Sequence, residues 1–119
     1  MSEVDLLSQH CVEYPAGTPP LPAAEVERYL SRVPGWRLDE GVLRRRLRFG
    51  DFMALIVFIN RLAYVAEQEQ HHPDFLVHGY RRMRLDFATH SIGGLSLNDF
   101  IMAARVNRLL ESESFEENW

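Results

Sequence analysis

Apolar and polar residues change their spacing several times along this 119-residue chain, and each change marks an element. After Pro22, Val26, Tyr29, Leu30 and Val33 recur at i, i+3, i+4 and i+7, the face of a helix that Pro34-Gly35 stops. Two strands follow: Trp36 to Asp39, then a turn at Glu40-Gly41, then Val42 to Phe49. In the second strand Leu43, Leu47 and Phe49 point one way, Arg44, Arg46 and Arg48 the other. Asp51 is placed as the N-cap of the longest helix, which runs to about Gln70 and is expected to bury Phe52, Leu55, Ile56, Ile59, Ala63 and Ala66. Pro73 limits that helix, because the residue before a proline is pushed out of helical geometry.

A second hairpin is predicted from Phe75 to Val77, around a His78-Gly79 turn, and back from Arg82. Its return arm alternates Met83, Leu85, Phe87 and Thr89 against Arg82, Arg84, Asp86 and Ala88. Ser91 to Gly94 reads as a loop. Ser96 with Asp99 is the S-x-x-[DE] capping pattern of a last helix over Phe100 to Leu110. The order α-β-β-α-β-β-α, with half-polar strands in hairpins, predicts an α+β domain: a four-stranded antiparallel sheet covered on one face by helices. The domain spans residues 22–112, behind an extended, proline-rich lead-in over 1–21. An acidic tail over 113–119 is expected to fray.

Composition narrows the function classes. A hydrophobic content of 46% and a charged content of 25% fit an ordinary globular domain. The net charge of −4 argues against electrostatically driven nucleic-acid binding. All thirteen basic residues are arginines, and those of the two strands have no aromatics interleaved for base stacking. They are expected to form a solvated sheet face, partly neutralised by Asp86. The single cysteine, Cys11, excludes an internal disulfide or a cysteine metal site and is read as a bystander thiol. The start has neither a basic nor an apolar stretch, and the longest apolar run, ending at Ile59, is far too short to span a bilayer. No membrane role and a cytoplasmic location are expected.

The candidate chemistry lies in three of the five histidines, which fall within twenty positions of one another. His71 and His72 end the long helix, and His90 ends the last strand. Glu67 is four residues before His71, so the two share a helix face, and Asp99 lies in the first turn of the last helix. These element ends can meet at one edge of a small sheet. Imidazole, with an unperturbed pKa of about 6.5, gives or takes a proton near neutrality at little cost. Two or three of them with a carboxylate supply both acid and base for the addition or loss of water. Each piece also has a structural reading: His-His-Pro as a helix C-cap, His90 as a half-buried satisfied imidazole, Glu67–His71 as a surface ion pair. A metal is not expected, since neither the HExxH pattern nor a cysteine pair is present.

The run Glu67-x3-His71-His72-Pro73, followed by Tyr80, His90 and Asp99, resembles the signature of the pterin-4a-carbinolamine dehydratases. The intervals match: six residues between Pro73 and Tyr80, nine between Tyr80 and His90, eight between His90 and Asp99. Thr89-His90 with Gly93-Gly94-Leu95-Ser96 is similar to the family's T-H-x-x-G-G-L-[ST] stretch, and Pro34-Gly35-Trp36 to its Gly-Trp. The lead-in from Cys11 to Leu21 resembles that of many bacterial members. The resemblance implies a dehydratase that removes water from 4a-hydroxytetrahydropterin without metal or organic cofactor, recycling the pterin of aromatic amino-acid hydroxylases. It implies His71, His72 and His90 as catalytic, Glu67 and Asp99 as orienting groups, and Trp36, Pro73 and Thr89 around the substrate. Trp36 as ordinary core is the alternative for that residue. Family members are dimers or tetramers. Some relatives act instead as a dimerisation factor for a transcription partner or as a RuBisCO assembly chaperone, the competing reading here.

Overall fold

A computed structural model describes residues 5–117. Three helices and an antiparallel sheet form in the predicted order: α1 (Ala23–Leu30), β1 (Arg37–Asp39), β2 (Val42–Phe49), α2 (Phe52–Glu69), β3 (Asp74–His78), β4 (Arg82–Phe87) and α3 (Leu97–Leu110). The strands lie in the order β1-β2-β4-β3. The first hairpin turns on Glu40 and Gly41, both at positive φ (53° and 77°), the left-handed pair that suits a two-residue connection between twisted strands. The second turns through Gly79 and Tyr80, at 56° and 55°. Tyr80 therefore belongs to an exposed turn.

The core is built where alternation meets helix periodicity. Leu43, Leu47 and Phe49 of β2 and Met83, Leu85 and Phe87 of β4 are buried under α2 and α3, which contribute Leu55, Phe58, Leu62, Phe100, Met102 and Val106. Three expectations change. On α2 the buried face is Leu55, Phe58, Leu62 and Ala66, whereas Phe52 and Ala63 are exposed. Apolar residues occupy more than one side of this helix, so spacing alone cannot choose the side; the sheet beneath it does.

The arginine face is not uniformly solvated. Arg44 stands opposite Asp86 in the β2–β4 register, and both are buried. Arg45 faces the core side. It is buried while donating to the Pro34 carbonyl at 3.1 Å and pairing with Asn107 and Glu117. Finally, the tail does not simply fray: Phe115–Glu116 forms a short β5 paired with β2. The half-buried Phe115 ring under the Arg45 guanidinium and the Arg48–Glu116 ion pair hold it there.

Candidate active site

The site begins with the way α2 stops. Asp51 caps its start by accepting from the Ala54 amide. At the other end Gln70 adopts left-handed φ/ψ of 53° and 41°, and the amides of Gln70 and His71 both donate to the Ala66 carbonyl. One left-handed residue redirects the chain, so His71 is no longer on the helical face of Glu67. The expected Glu67–His71 pair is therefore replaced. Glu67 lies 3.4 Å from His72, with both side chains exposed, and His71 turns inward.

Inward of His71 stands the start of α3. His71 Nε2 is 2.7 Å from Asp99 Oδ1. Asp99 is fully buried in the first turn of α3, where it completes a capping box with Ser96. Its Oδ2 accepts the Ser96 amide at 2.9 Å and the Thr89 hydroxyl at 2.8 Å. Thr89 in turn forms a β-bridge with Gly94 that closes the loop carrying the short turn His90–Ile92. The His71 ring is stacked on Phe87, with centroids 6.2 Å apart and planes within 12°. Asp99 thus accepts from three directions, and the Nε2–H of His71 is one of its donors. The tautomer this bond selects leaves Nδ1 with its lone pair.

An open cavity of about 670 Å³ lies beside this pair, within the size range of small-molecule sites. His71 and Thr89 line it, as do Ser91 and Gln70. His72 and His90 are each next in sequence to a lining residue, and both imidazoles are exposed. His90 lies 3.7 Å from the Asp74 carboxylate at the start of β3. Pro73, half-buried, links His72 to that strand. Thr89 lines the cavity, yet its hydroxyl is committed to Asp99 and Ser96. Among the described residues no group of three or more His, Cys, Asp or Glu side chains is arranged to hold a metal ion.

Trp36 takes the core alternative. Its indole is buried, 5.7 Å from Phe87, and its Nε1–H donates to Asn107 at 2.9 Å. It borders a different, more apolar groove with Leu30 and Leu38. The wall of the histidine cavity instead comes from the lead-in: Cys11, Tyr14 and Pro15 line it together with Glu69 and Asn98. Burial alone pushes the Glu69 carboxyl up, but the Cys11 amide, His10 and Arg105 outweigh it and hold the group below its ordinary range. Burial, then the charge of Glu69, pushes the Cys11 thiol up to about 12, the opposite of an activated nucleophile. These residues escape sequence reasoning because an irregular segment has no periodicity to reveal its partners. Its resemblance to the lead-in of bacterial family members is the one available signal.

Comparison with known proteins agrees with the fold. The family model described as Pterin 4 alpha carbinolamine dehydratase matches residues 19–109. A curated relative from Nitrosomonas eutropha, provisionally named a pterin-4-alpha-carbinolamine dehydratase, is 42% identical over 109 residues, covering 91% of this chain and 96% of its own. One from Stenotrophomonas maltophilia, named likewise, is 43% identical over 110 residues, covering 91% and 94%. The crystal structure of a transcriptional coactivator/pterin dehydratase from Brucella melitensis superposes with a TM-score of 0.71 at 29% identity, over 76% of this chain and 97% of that one. The chain is a member of the pterin-4a-carbinolamine dehydratase family.

Proposed function

We propose that this protein dehydrates 4a-hydroxytetrahydropterin to quinonoid dihydropterin in the cavity lined by His71. The observation that carries the proposal is the His71–Asp99 pair: a buried, fully bonded carboxylate holding one imidazole nitrogen at 2.7 Å beside an open cavity. The reaction breaks the C4a–O bond and the N5–H bond, forms the C4a–N5 double bond and releases water. Hydroxide is a poor leaving group, so a protonated imidazole gives its proton to the 4a-oxygen while a neutral one takes the N5 proton. His71 is built for the second task, because Asp99 stabilises the imidazolium that forms and fixes the ring while Nδ1 receives the proton. The exposed His72 and His90, each beside a carboxylate (Glu67 and Asp74), serve as donors to the leaving oxygen. The product returns a pterin to the cytoplasmic cycle that supplies aromatic amino-acid hydroxylases. No metal or organic cofactor takes part.

The test follows the dehydration of freshly generated 4a-hydroxytetrahydropterin with the wild-type protein and with His71→Ala, His72→Ala and His90→Ala. Acceleration by the wild type that collapses in the variants supports the reading. A wild-type rate equal to buffer ends it.

A second observation concerns assembly. Met53, Val57 and Tyr64 form an exposed apolar stripe on α2, at 65%, 47% and 77% exposure. Such a stripe marks a surface that is covered in use. We place the contact between copies of this chain there, giving a dimer or tetramer. The same stripe favours a coexisting role in associating with another protein, in line with the double name of the Brucella neighbour.

A further inference from the structure

The lead-in is bolted to the site by consecutive contacts. The Gln9 carbonyl accepts from Arg105 at 2.7 Å. Glu69, only 6% exposed, accepts the Cys11 amide at 2.7 Å and lies 2.8 Å from His10 Nδ1 and 3.6 Å from Arg105. Asn98 treats Val12 as a β-bridge partner would: its Oδ1 accepts the Val12 amide at 3.0 Å, and its Nδ2 donates to the Val12 carbonyl at 2.7 Å. The Cys11 thiol donates to the Asn98 carbonyl at 3.7 Å. Four successive residues, 9 to 12, are thus clamped without forming a regular element. The two central clamps occupy telling positions. Glu69 is two residues before His71, and Asn98 is the neighbour of Asp99. Beyond the clamp the strap brings Tyr14, half-buried, into the lining of the cavity that His71 also lines.

We propose that residues 9–15 form a clamped wall of the substrate cavity, with Glu69, Asn98 and Arg105 as positioning residues and Tyr14 as the aromatic surface offered to the pterin. This rests on the dehydratase reading for its substrate but not for the clamp itself. An aromatic wall suits a flat heterocycle, since stacking adds to simple area burial. The position expected for Trp36 is filled by Tyr14, which burial pushes up toward the neutral phenol. Val12 is itself exposed, but its amide and carbonyl both find their partners on one side chain, in bonds that are part-buried. Removing that side chain leaves two groups unpaired and favours release of the strap to water.

Cys11, the single cysteine of this sequence, makes the clamp measurable in the intact chain. With the strap docked, its thiol sits near 12 and labels slowly; released, it returns to the ordinary range of about 8.5 and labels fast. The experiment records the rate of Cys11 alkylation near pH 8 for the wild type, Asn98→Ala and Arg105→Leu, with and without saturating 7,8-dihydrobiopterin. It is paired with KM and kcat for dehydration. Without ligand, Asn98→Ala and Arg105→Leu are expected to label at least about tenfold faster than the wild type. Dihydrobiopterin should slow wild-type labelling, since it covers the wall that carries the thiol. Asn98→Ala and Tyr14→Ala should raise KM by about tenfold, more than they lower kcat, while Tyr14→Phe keeps a KM near that of the wild type. Unchanged labelling in both clamp variants overturns the clamp. An active enzyme whose Cys11 ignores dihydrobiopterin and whose Tyr14→Ala variant keeps its KM overturns the wall. A wild-type protein without dehydratase activity sinks the substrate reading instead, and the ligand-free labelling still decides the clamp.

Discussion

Two carboxylate-centred pairs cross this small domain, one on each side of the sheet, and they differ in what they leave unpaired. Arg44 on the open face donates to Asp86 through Nε at 2.8 Å and Nη2 at 3.1 Å, and through Nη1 to Asp39 and Glu40, each at 2.8 Å. These hydrogen bonds, led by Asp86, push its guanidinium further toward the charged form. Four of its five N–H groups donate to carboxylates, which ties the side chain into the sheet. His71 on the helical side meets Asp99 through Nε2 alone, and the residue lines a cavity. The first pair is a finished structural tie. The second leaves His71 Nδ1 uncommitted, which suits the proton transfer proposed for it. A buried carboxylate is therefore a functional candidate when its partner keeps a proton-handling atom uncommitted.

The largest effect that separates the pairs is on rate. His71→Ala should lower kcat for dehydration by about a hundredfold or more. Arg44→Met should leave kcat within about twofold of wild type. Equal kinetic losses in the two variants would break the contrast.

The Arg44 pair should register in stability instead. Asp86→Ala strands the buried Arg44 with two more exposed carboxylates and should cost about 3 kcal/mol in urea unfolding. Replacing both members, Arg44→Met with Asp86→Leu, should recover much of that loss, because the penalty comes from the unpaired charge. No recovery would mean that the pair itself, rather than its satisfaction, stabilises the sheet.

Assembly gives a smaller and independent effect. Val57→Glu places a charge on the exposed apolar stripe of α2 and should shift the protein to single chains by light scattering while its circular dichroism is retained. Wild-type protein that is already a single chain would refute the contact.

The smallest effect concerns pH. Because the folded Glu69 carboxyl is held below its ordinary value, its contribution is complete above the unfolded pKa of about 4.3 and is lost as the pH falls through the folded value. Glu69→Gln should flatten the acid limb of stability below about pH 4 and leave the neutral plateau lower. An unchanged acid limb would show that Glu69 does not couple docking of the strap to folding. Treatment with a chelator should leave dehydration unchanged at any of these pH values.

Much of the frame was legible because short-range spacing dictates it. Alternation through Met83, Leu85 and Phe87 specifies which side of β4 is buried, and Ser96 with Asp99 specifies where α3 starts; both hold in the structure. The histidines were legible as residues but not as a geometry. The i,i+4 rule paired His71 with Glu67, and it applies only while the chain remains helical. Gln70 ends that condition one residue too early. Trp36 was open between two places for a related reason: an aromatic next to a strand can face either the core or a ligand, and Phe87 with Asn107 decides for the core.

By itself the sequence determined the α+β order, the hairpins, the capping box and the residue types available for acid–base work, since each follows from interactions within a few positions. Only the tertiary structure decided that α2 buries Leu55 and Phe58 rather than Phe52, that Asp99 rather than Glu67 holds His71, and that the lead-in walls the cavity. Those choices depend on partners 28 to 87 positions away. Local spacing carries no information about which of several distant groups a side chain will meet once the sheet has set the directions of the elements.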